Sequence, residues 1–398
     1  MLEFRRNATQ ATPSSEWTPG LGFSSQHDDS MGFTPLIREK ATRTPGWIGR
    51  ESAIGRQTDL TTTTSVRDGN GSLNLEDQNP TDTTGSAPPG VCRFAPSTTG
   101  EAHPGTLLAA LLCWLDARKN GDRVLLRLEN LDPDRSTPAF EDAMQQDLAW
   151  LGLDWDEVTR QSDNPSDYEE ALDQLAEAGQ LYPCSCSRAE IRASGVRTPD
   201  GGYRYDNRHR DRALPPGEWR ASEEPLRARL LEGTFTAVDL GGDDLTQDPT
   251  ASFGDPIVRR RDGAIAYQLA CVVDDAMSGV TRIVRGRDIM SNTASQVAIQ
   301  TSLGFVTPEY RHHMLLLERQ GEKLAKLHGS VGATALREVY SAAELCGVLV
   351  FAAGMVERLE PMTPTELLDG FSWDRVSHKD RLAHWDGRAL EVSGDQGQ

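Results

Sequence analysis

Over the first 89 positions the apolar residues follow neither a helical nor an alternating period. Stretches such as TDLTTTTSV and DQNPTDTTGSAPPG are built from Thr, Ser, Gly, Asp and Asn. Such a segment buries too little apolar surface to offset the entropy of ordering, so residues 1–89 are expected to form a disordered low-complexity tail. Regular patterning begins near residue 90. VCRFAP reads as a short strand. Pro104 opens a helix in which Leu107, Leu108, Leu111, Leu112 and Leu115 recur at helical spacing, with Gly121 as its stop. RVLLRLEN at 123–130 reads as a strand buried on at least one face. Strand, helix and strand in such quick succession predict a parallel, right-handed unit.

Two more helices are predicted at 138–151 and 166–180, the second capped by Ser166 with Tyr168, Leu172 and Leu175 on one face. Between 184 and 255 the periodicity weakens and Gly, Arg and Asp are frequent, as in an irregular insertion. In IVRRRDGAIAYQLACVVDDAMSGVTRIVRG, Arg-Asp-Gly is expected to turn a hairpin between strand-like runs. NTASQVAIQTSLG reads as a capped helix ended by Gly304, and residues 331–398 as short helical segments with a polar end. LCGVLVFAAGMV at 345–356 fits a buried helix and is too short to span a bilayer. There is no internal repeat. The layout is α/β: a tail, a main domain over 90–330 with its insertion at about 184–255, and a short helical C-terminal segment.

A chain of 398 residues is long enough for two domains, or for one large domain with an appendage. No apolar run follows the N-terminal MLEFRRNATQ, so no secretory signal is expected, and the chain reads as cytoplasmic with no membrane partner. Six cysteines do not describe a disulfide framework, and the two close together, Cys184 and Cys186, are metal candidates. The net charge of -19 argues against a broad nucleic-acid surface, so any RNA contact has to come from local clusters. Only five lysines are present, and two of them, Lys323 and Lys326, lie three residues apart.

RFAPSTTGEAHPGTLLAALL places a strand, a turn of small residues and a helix start in succession. Unpaired N–H groups and the helix dipole make that arrangement a phosphate cradle. Gly100 and Gly105 let the backbone approach closely, and His103 stands where it can donate to a phosphate as charge builds up. An ordinary strand-turn-helix with an incidental histidine is the alternative. The lysine pair in ERQGEKLAKLHGS sits in a Gly-flanked loop, and its plain alternative is a solvated charge pair.

RFAPSTTGEAHPGT resembles the glutamate-specific form of the class I synthetase signature, whose usual shape is RFAPSPTG followed by His-x-Gly. KLAKL resembles the second signature loop, usually Lys-x-Ser-Lys, about 220 residues further on. Over residues 91–330 the chain is thus similar to class I aminoacyl-tRNA synthetases with a glutamyl-tRNA synthetase-like catalytic domain. The resemblance implies a Rossmann-like fold, with ATP and L-glutamate as substrates and Mg2+ assisting. It implies that Arg93, Phe94, Ala95, Pro96, Ser97, Glu129, Tyr267 and Arg285 contact glutamate. Glu129 would take the ammonium and Tyr267 contribute a hydroxyl. The arginines would face the carboxylate, which a planar guanidinium meets bidentately. His103, Gly105, Lys323 and Lys326 would bind ATP, with His103 and Lys326 as the catalytic pair. Taken singly, Tyr267 also fits a core residue, and Arg285 an ion pair with Asp288.

The same resemblance extends to a zinc site of the form Cys-x-Cys, then Tyr-x-x-x-Cys-Arg. Here it implies Zn2+ on Cys184, Cys186, Tyr205 and His209, histidine replacing the last cysteine, with two reduced cysteines of a vestigial knuckle as the alternative. Thr98 stands where the family has proline, Asn130 where it has aspartate, and Ala325 where it has the loop serine. The Asn130 change is expected to remove a charge near the amino-acid pocket. Only 71 residues follow Leu327, fewer than the anticodon-binding portion of a glutamyl-tRNA synthetase needs. The resemblance is therefore to truncated members that activate glutamate without tRNA and attach it to the queuosine base of tRNA(Asp), here as a monomer. Three alternatives stay open: a truncated glutamyl-tRNA synthetase charging the acceptor end, a catalytically inactive RNA-binding relative, and a ligase for a small amine.

Overall fold

The computed structural model describes residues 88–215, 218–317 and 331–392. The predicted tail, up to residue 87, lies outside the described residues, as do Lys323, Ala325 and Lys326. Strand β1 (Val91–Phe94) leads through α1 (Pro104–Asn120) to β2 (Arg123–Leu128), then α2 (Pro138–Trp150), β3 (Glu157–Arg160) and α3 (Pro165–Glu177). The irregular insertion and its exit hold β4 (Leu181–Pro183), α4 (Arg188–Ala193), β5 (Leu226–Ala228), α5 (Pro249–Ser252) and β6 (Ile257–Arg259). There follow α6 (Tyr267–Met277), β7 (Arg282–Gly286), α7 (Thr293–Leu303), β8 (Glu309–His313) and β9 (Leu316–Leu317). The C-terminal part forms α8 (Ala333–Val339), α9 (Ala342–Ala352), α10 (Pro364–Leu368), β10 (Arg381–Trp385) and β11 (Leu390–Val392).

Five strands make one parallel sheet in the order β3-β2-β1-β7-β8. The chain winds outward from β1 to β3, then returns to the other side of β1 for β7 and β8. Winding therefore reverses between β1 and β7, and the crevice at the carboxyl ends beside such a reversal is where α/β sheets bind ligands. The expected Rossmann-like α/β architecture is what the sheet displays.

Burial explains the central elements. In β2, Val124, Leu125, Leu126 and Leu128 are all buried, as a parallel strand covered on both faces requires. Helix α1 is buried without a break from Ala110 to Ala117, so it runs through the interior rather than along the surface. It closes on Gly121 at φ 71°, a conformation that glycine adopts without strain. Leu345, Val348 and Leu349 of α9 join the same hydrophobic cluster as α1 and β2. Among the described residues no helix is long and apolar enough to cross a membrane.

Four local expectations change. The Arg-Asp-Gly turn is present, with Arg260 N–H donating to the Ala264 carbonyl at 2.8 Å, but the run after it is the helix α6 and not a strand. Leu269 to Asp275 are buried on every side, so the apolar run carries no period that distinguishes helix from strand. Helix α3 starts at Pro165 after Asn164, which leaves Ser166 inside the first turn; the Asn164 amide reaches Asp274 at 3.3 Å instead of capping. Asn292 precedes α7 without a side-chain cap, because its oxygen accepts from Gln268 at 2.9 Å. The polar end contains β10 and β11, and β10 pairs in parallel with β9.

Candidate active site

The carboxyl ends of β1, β2 and β7 and the amino end of α1 enclose a cavity of about 570 Å³. Arg93, Phe94, Ala95, Pro96 and Ser97 line it from β1 and the turn that follows, and Glu129 from the end of β2. His103 and Gly105 stand at the start of α1, Tyr267 at the start of α6, and Arg285 on β7. All the described residues expected to touch glutamate or ATP thus line one cavity. Tyr267 is 39% exposed, which makes it a wall residue and not a core one.

Backbone pairing sets the floor. A parallel bridge joins Ser97 to Glu129, with Glu129 N–H donating to the Pro96 carbonyl at 3.0 Å and Thr98 N–H to the Glu129 carbonyl at 3.3 Å. Proline at position 98 has no N–H to give, so threonine adds a bond that ties the signature turn to β2.

Beneath the floor lies a buried charge network. The Arg127 side chain is fully buried and pairs with Asp275, which also accepts from Arg93 Nε at 3.2 Å. Arg127 reaches Glu129 at 3.4 Å as well. Burial by itself raises the Asp275 pKa, but the two guanidiniums outweigh it and hold the carboxyl below its ordinary value. For Glu129 burial wins: its pKa is raised despite Arg127 and Arg93, so its carboxylate gains from a further cation.

Arg285 is 5% exposed, and its three nitrogens meet neutral partners: His312 Nε2 at 3.1 Å, Gln296 Oε1 at 2.8 Å and Thr293 Oγ1 at 2.7 Å. Among the described residues it forms no ion pair, with Asp288 or any other carboxylate. Five N–H donors less three bonds leave two on a guanidinium that lines the cavity.

At the start of α1, His103 is the N-cap and its Nδ1 accepts the Thr106 N–H at 3.3 Å. That bond leaves the proton of the neutral ring on Nε2.

A second cluster lies in the insertion. Ligand atoms of Cys184, Cys186 and His209 lie within 4.8 Å of one another. Tyr205 Oη is 3.3 Å from Cys184 Sγ and accepts the His209 N–H at 3.0 Å, so it stands at the edge of the group. Burial raises the Cys184 pKa, but the Tyr205 hydroxyl, the Cys186 backbone and Arg227 bring it down to about 7. Cys186 is pushed up to about 11, by burial first and then by its neighbour thiol. Two such thiols ionise together only beside a cation, and the donor set suits a tetrahedral divalent ion.

Residues 91–380 match the family model for the catalytic domain of tRNA synthetases class I (E and Q). The chain belongs to that family. It is 41% identical over 290 residues to the glutamyl-Q tRNA(Asp) synthetase of Nitratidesulfovibrio vulgaris, covering 69% of this chain and 89% of that protein. To the protein of the same name from Symbiobacterium thermophilum it is 38% identical over 302 residues, covering 71% of this chain and 93% of that one. Among solved structures, a glutamate tRNA ligase from Elizabethkingia meningosepticum in complex with its amino acid superposes with a TM-score of 0.61 at 24% identity. That match covers 73% of this chain and 66% of the ligase, and it shows the shared fold.

Membership in this synthetase family implies ATP as a substrate. Against its pattern, Asn130 does not line the cavity: it donates to Glu141 at 2.7 Å and to Ser162 at 2.9 Å. Asn130 follows the lining residue Glu129 but turns its own amide to this clasp beside the cavity. Sequence reasoning passed over Arg127, Asp275 and His312. Arg127 and Asp275 were signalled by a charge set in an apolar strand or helix, as in LLRLEN and ACVVDD, whereas His312 lies in the polar strand EYRHH and had no such signal.

Proposed function

We propose that the chain condenses L-glutamate with ATP to glutamyl-adenylate and transfers the glutamyl group to the queuosine base of tRNA(Asp). The observation that carries the first half is a guanidinium without a carboxylate partner, Arg285, sharing a cavity with the acidic Glu129 at the carboxyl ends of the sheet. A buried cation with only neutral neighbours gains most from an anionic ligand. Glutamate offers a carboxylate to Arg285 and an ammonium to Glu129, leaving its α-carboxylate free.

An oxygen of that carboxylate forms a bond to the α-phosphorus of ATP, and the bond to pyrophosphate breaks. His103 Nε2–H, at the positive end of α1, stabilises charge on the phosphates, as does Lys326 from the second signature loop. Gly105 and Lys323 complete the ATP site, and Mg2+ arrives with the nucleotide as its counter-ion. A queuosine hydroxyl then attacks the carbonyl carbon, and AMP leaves. The acceptor is supported by the two relatives of that name, matched over 89% and 93% of their lengths.

Cys184, Cys186 and His209, with Tyr205 beside them, are the residues that would hold Zn2+, whose role there is to fix the insertion. Transfer of labelled glutamate to tRNA(Asp) with and without queuosine tests the acceptor. Labelling is expected only with the modified base, and labelling of the terminal ribose instead would overturn it.

A further inference from the structure

The imidazole of His312 lies between Arg285 and an acid from the insertion. His312 Nε2 accepts from Arg285 Nε at 3.1 Å, and its Nδ1 is 2.7 Å from Asp239 Oδ2. The side chains of His312 and Asp239 are both fully buried. Asp239 is held there by backbone pairing: Tyr310 N–H donates to the Val238 carbonyl at 2.8 Å and Leu240 N–H to the Tyr310 carbonyl at 2.7 Å. Residues 238–240 thus extend the main sheet beyond β8 and carry an insertion carboxylate to the back of the pocket.

The proton positions follow from the partners. The bond to His312 helps hold Asp239 below its ordinary pKa against burial, so its carboxylate only accepts and Nδ1 must carry the hydrogen. A neutral ring with Nδ1–H has a lone pair on Nε2, which is what Arg285 Nε–H requires. An imidazolium would set N–H against N–H. Burial, ahead of every other influence, keeps the ring below its ordinary pKa; Asp239 and Asp243 act against this and Arg285 with it. The Tyr310 ring lies parallel to the imidazole, with ring centroids 6.0 Å apart.

We propose that His312, fixed in one tautomer by Asp239, is a positioning residue for Arg285, through which the insertion sets how firmly the pocket holds the substrate's side-chain carboxylate. The inference rests on the reading of Arg285 as the carboxylate-binding group. With His312 in place, Nε of Arg285 is occupied and the guanidinium plane is fixed, so the two spare N–H groups present one orientation to the ligand.

The test is glutamate-dependent pyrophosphate exchange by the full chain, with KM measured separately for glutamate and ATP. His312→Leu is expected to raise the glutamate KM about 10-fold or more, as for loss of a hydrogen bond to a charged group. The ATP KM should not move. His312→Gln, whose amide oxygen falls near the Nε2 position, should recover most of the loss, and Asp239→Asn should give a smaller rise. An unchanged glutamate KM in folded His312→Leu overturns the relay, as does a His312→Gln variant no better than His312→Leu. If His312→Leu does not fold, His312→Gln and Asp239→Asn decide: a glutamate KM rise in Asp239→Asn larger than in His312→Gln supports the relay, and none in either overturns it. Arg285→Gln separates the premise. No change there defeats the carboxylate reading itself, whereas a rise there without one in His312→Leu defeats only the relay.

Discussion

The amide of Asn130 donates to the carboxylate of Glu141 at 2.7 Å, while its own oxygen accepts the Ser162 N–H at 2.9 Å. Glu141 is also held by Arg160 Nε at 2.7 Å. Asn130 therefore joins the end of β2 to the turn after β3, outside the ligand cavity. Asn130→Asp, which restores the family's aspartate, puts two carboxylates in contact. It is expected to lower the unfolding free energy by about 1–3 kcal/mol with the glutamate KM unchanged. Denaturant unfolding beside the exchange assay checks this, and a large KM change with unaltered stability would place Asn130 in the pocket after all.

Glu129 gives the pocket a pH dependence. Because burial raises its pKa, it takes up a proton at a pH above the ordinary carboxyl value of about 4.3. Protonation removes the charge that faces an ammonium, so glutamate affinity should fall as pH drops through that raised value and recover as pH rises. Glu129→Gln should bind glutamate about 10-fold or more weakly, as for loss of a charged hydrogen bond, and lack this limb. Titration calorimetry across the range reads both; an identical limb in the variant would assign it to another group.

His103 has two roles that one substitution separates. Asparagine is a good N-cap, so His103→Asn should preserve stability where His103→Ala loses about 1 kcal/mol. Both should lose about 100-fold or more in the activation rate, as when one transition-state donor is removed. A His103→Asn variant with the wild-type rate would leave the histidine with a capping role only.

The insertion cluster should contain one zinc per chain by elemental analysis. Cys186→Ser is expected to lose that zinc and to melt at a lower temperature, since the ion's binding energy is coupled to folding. Its glutamate KM should stay near wild type as long as Asp239 remains in place. A zinc-free protein with an unshifted melting temperature on metal addition would make the cluster a pair of reduced thiols.

Much of the sheet and the first helix was legible in the sequence because their signals are local. Leu107, Leu108, Leu111, Leu112 and Leu115 recur at a helical period, and the strands of β1 and β2 are short apolar runs. Helix α6 was not legible, because a segment buried on every side has no polar face to mark its period. The cavity lining came from motif order, yet the residues that orient it were hidden by separation along the chain. Arg127 and Asp275 are 148 residues apart, and Asp239 and His312 are 73 apart. Only the fold brings either pair together; Arg127 stands out as a charge in an apolar run, but nothing in the polar strand EYRHH marks His312.

On the proposed reading, this cavity selects glutamate by pairing its carboxylate with Arg285 and its ammonium with Glu129. Pyrophosphate exchange into ATP, run without RNA and with glutamate, glutamine and aspartate in parallel, checks that selection. Exchange is expected with glutamate alone, and Arg285→Gln should need far more glutamate to support it. Exchange with glutamine at a comparable rate, or none with millimolar glutamate, would contradict it.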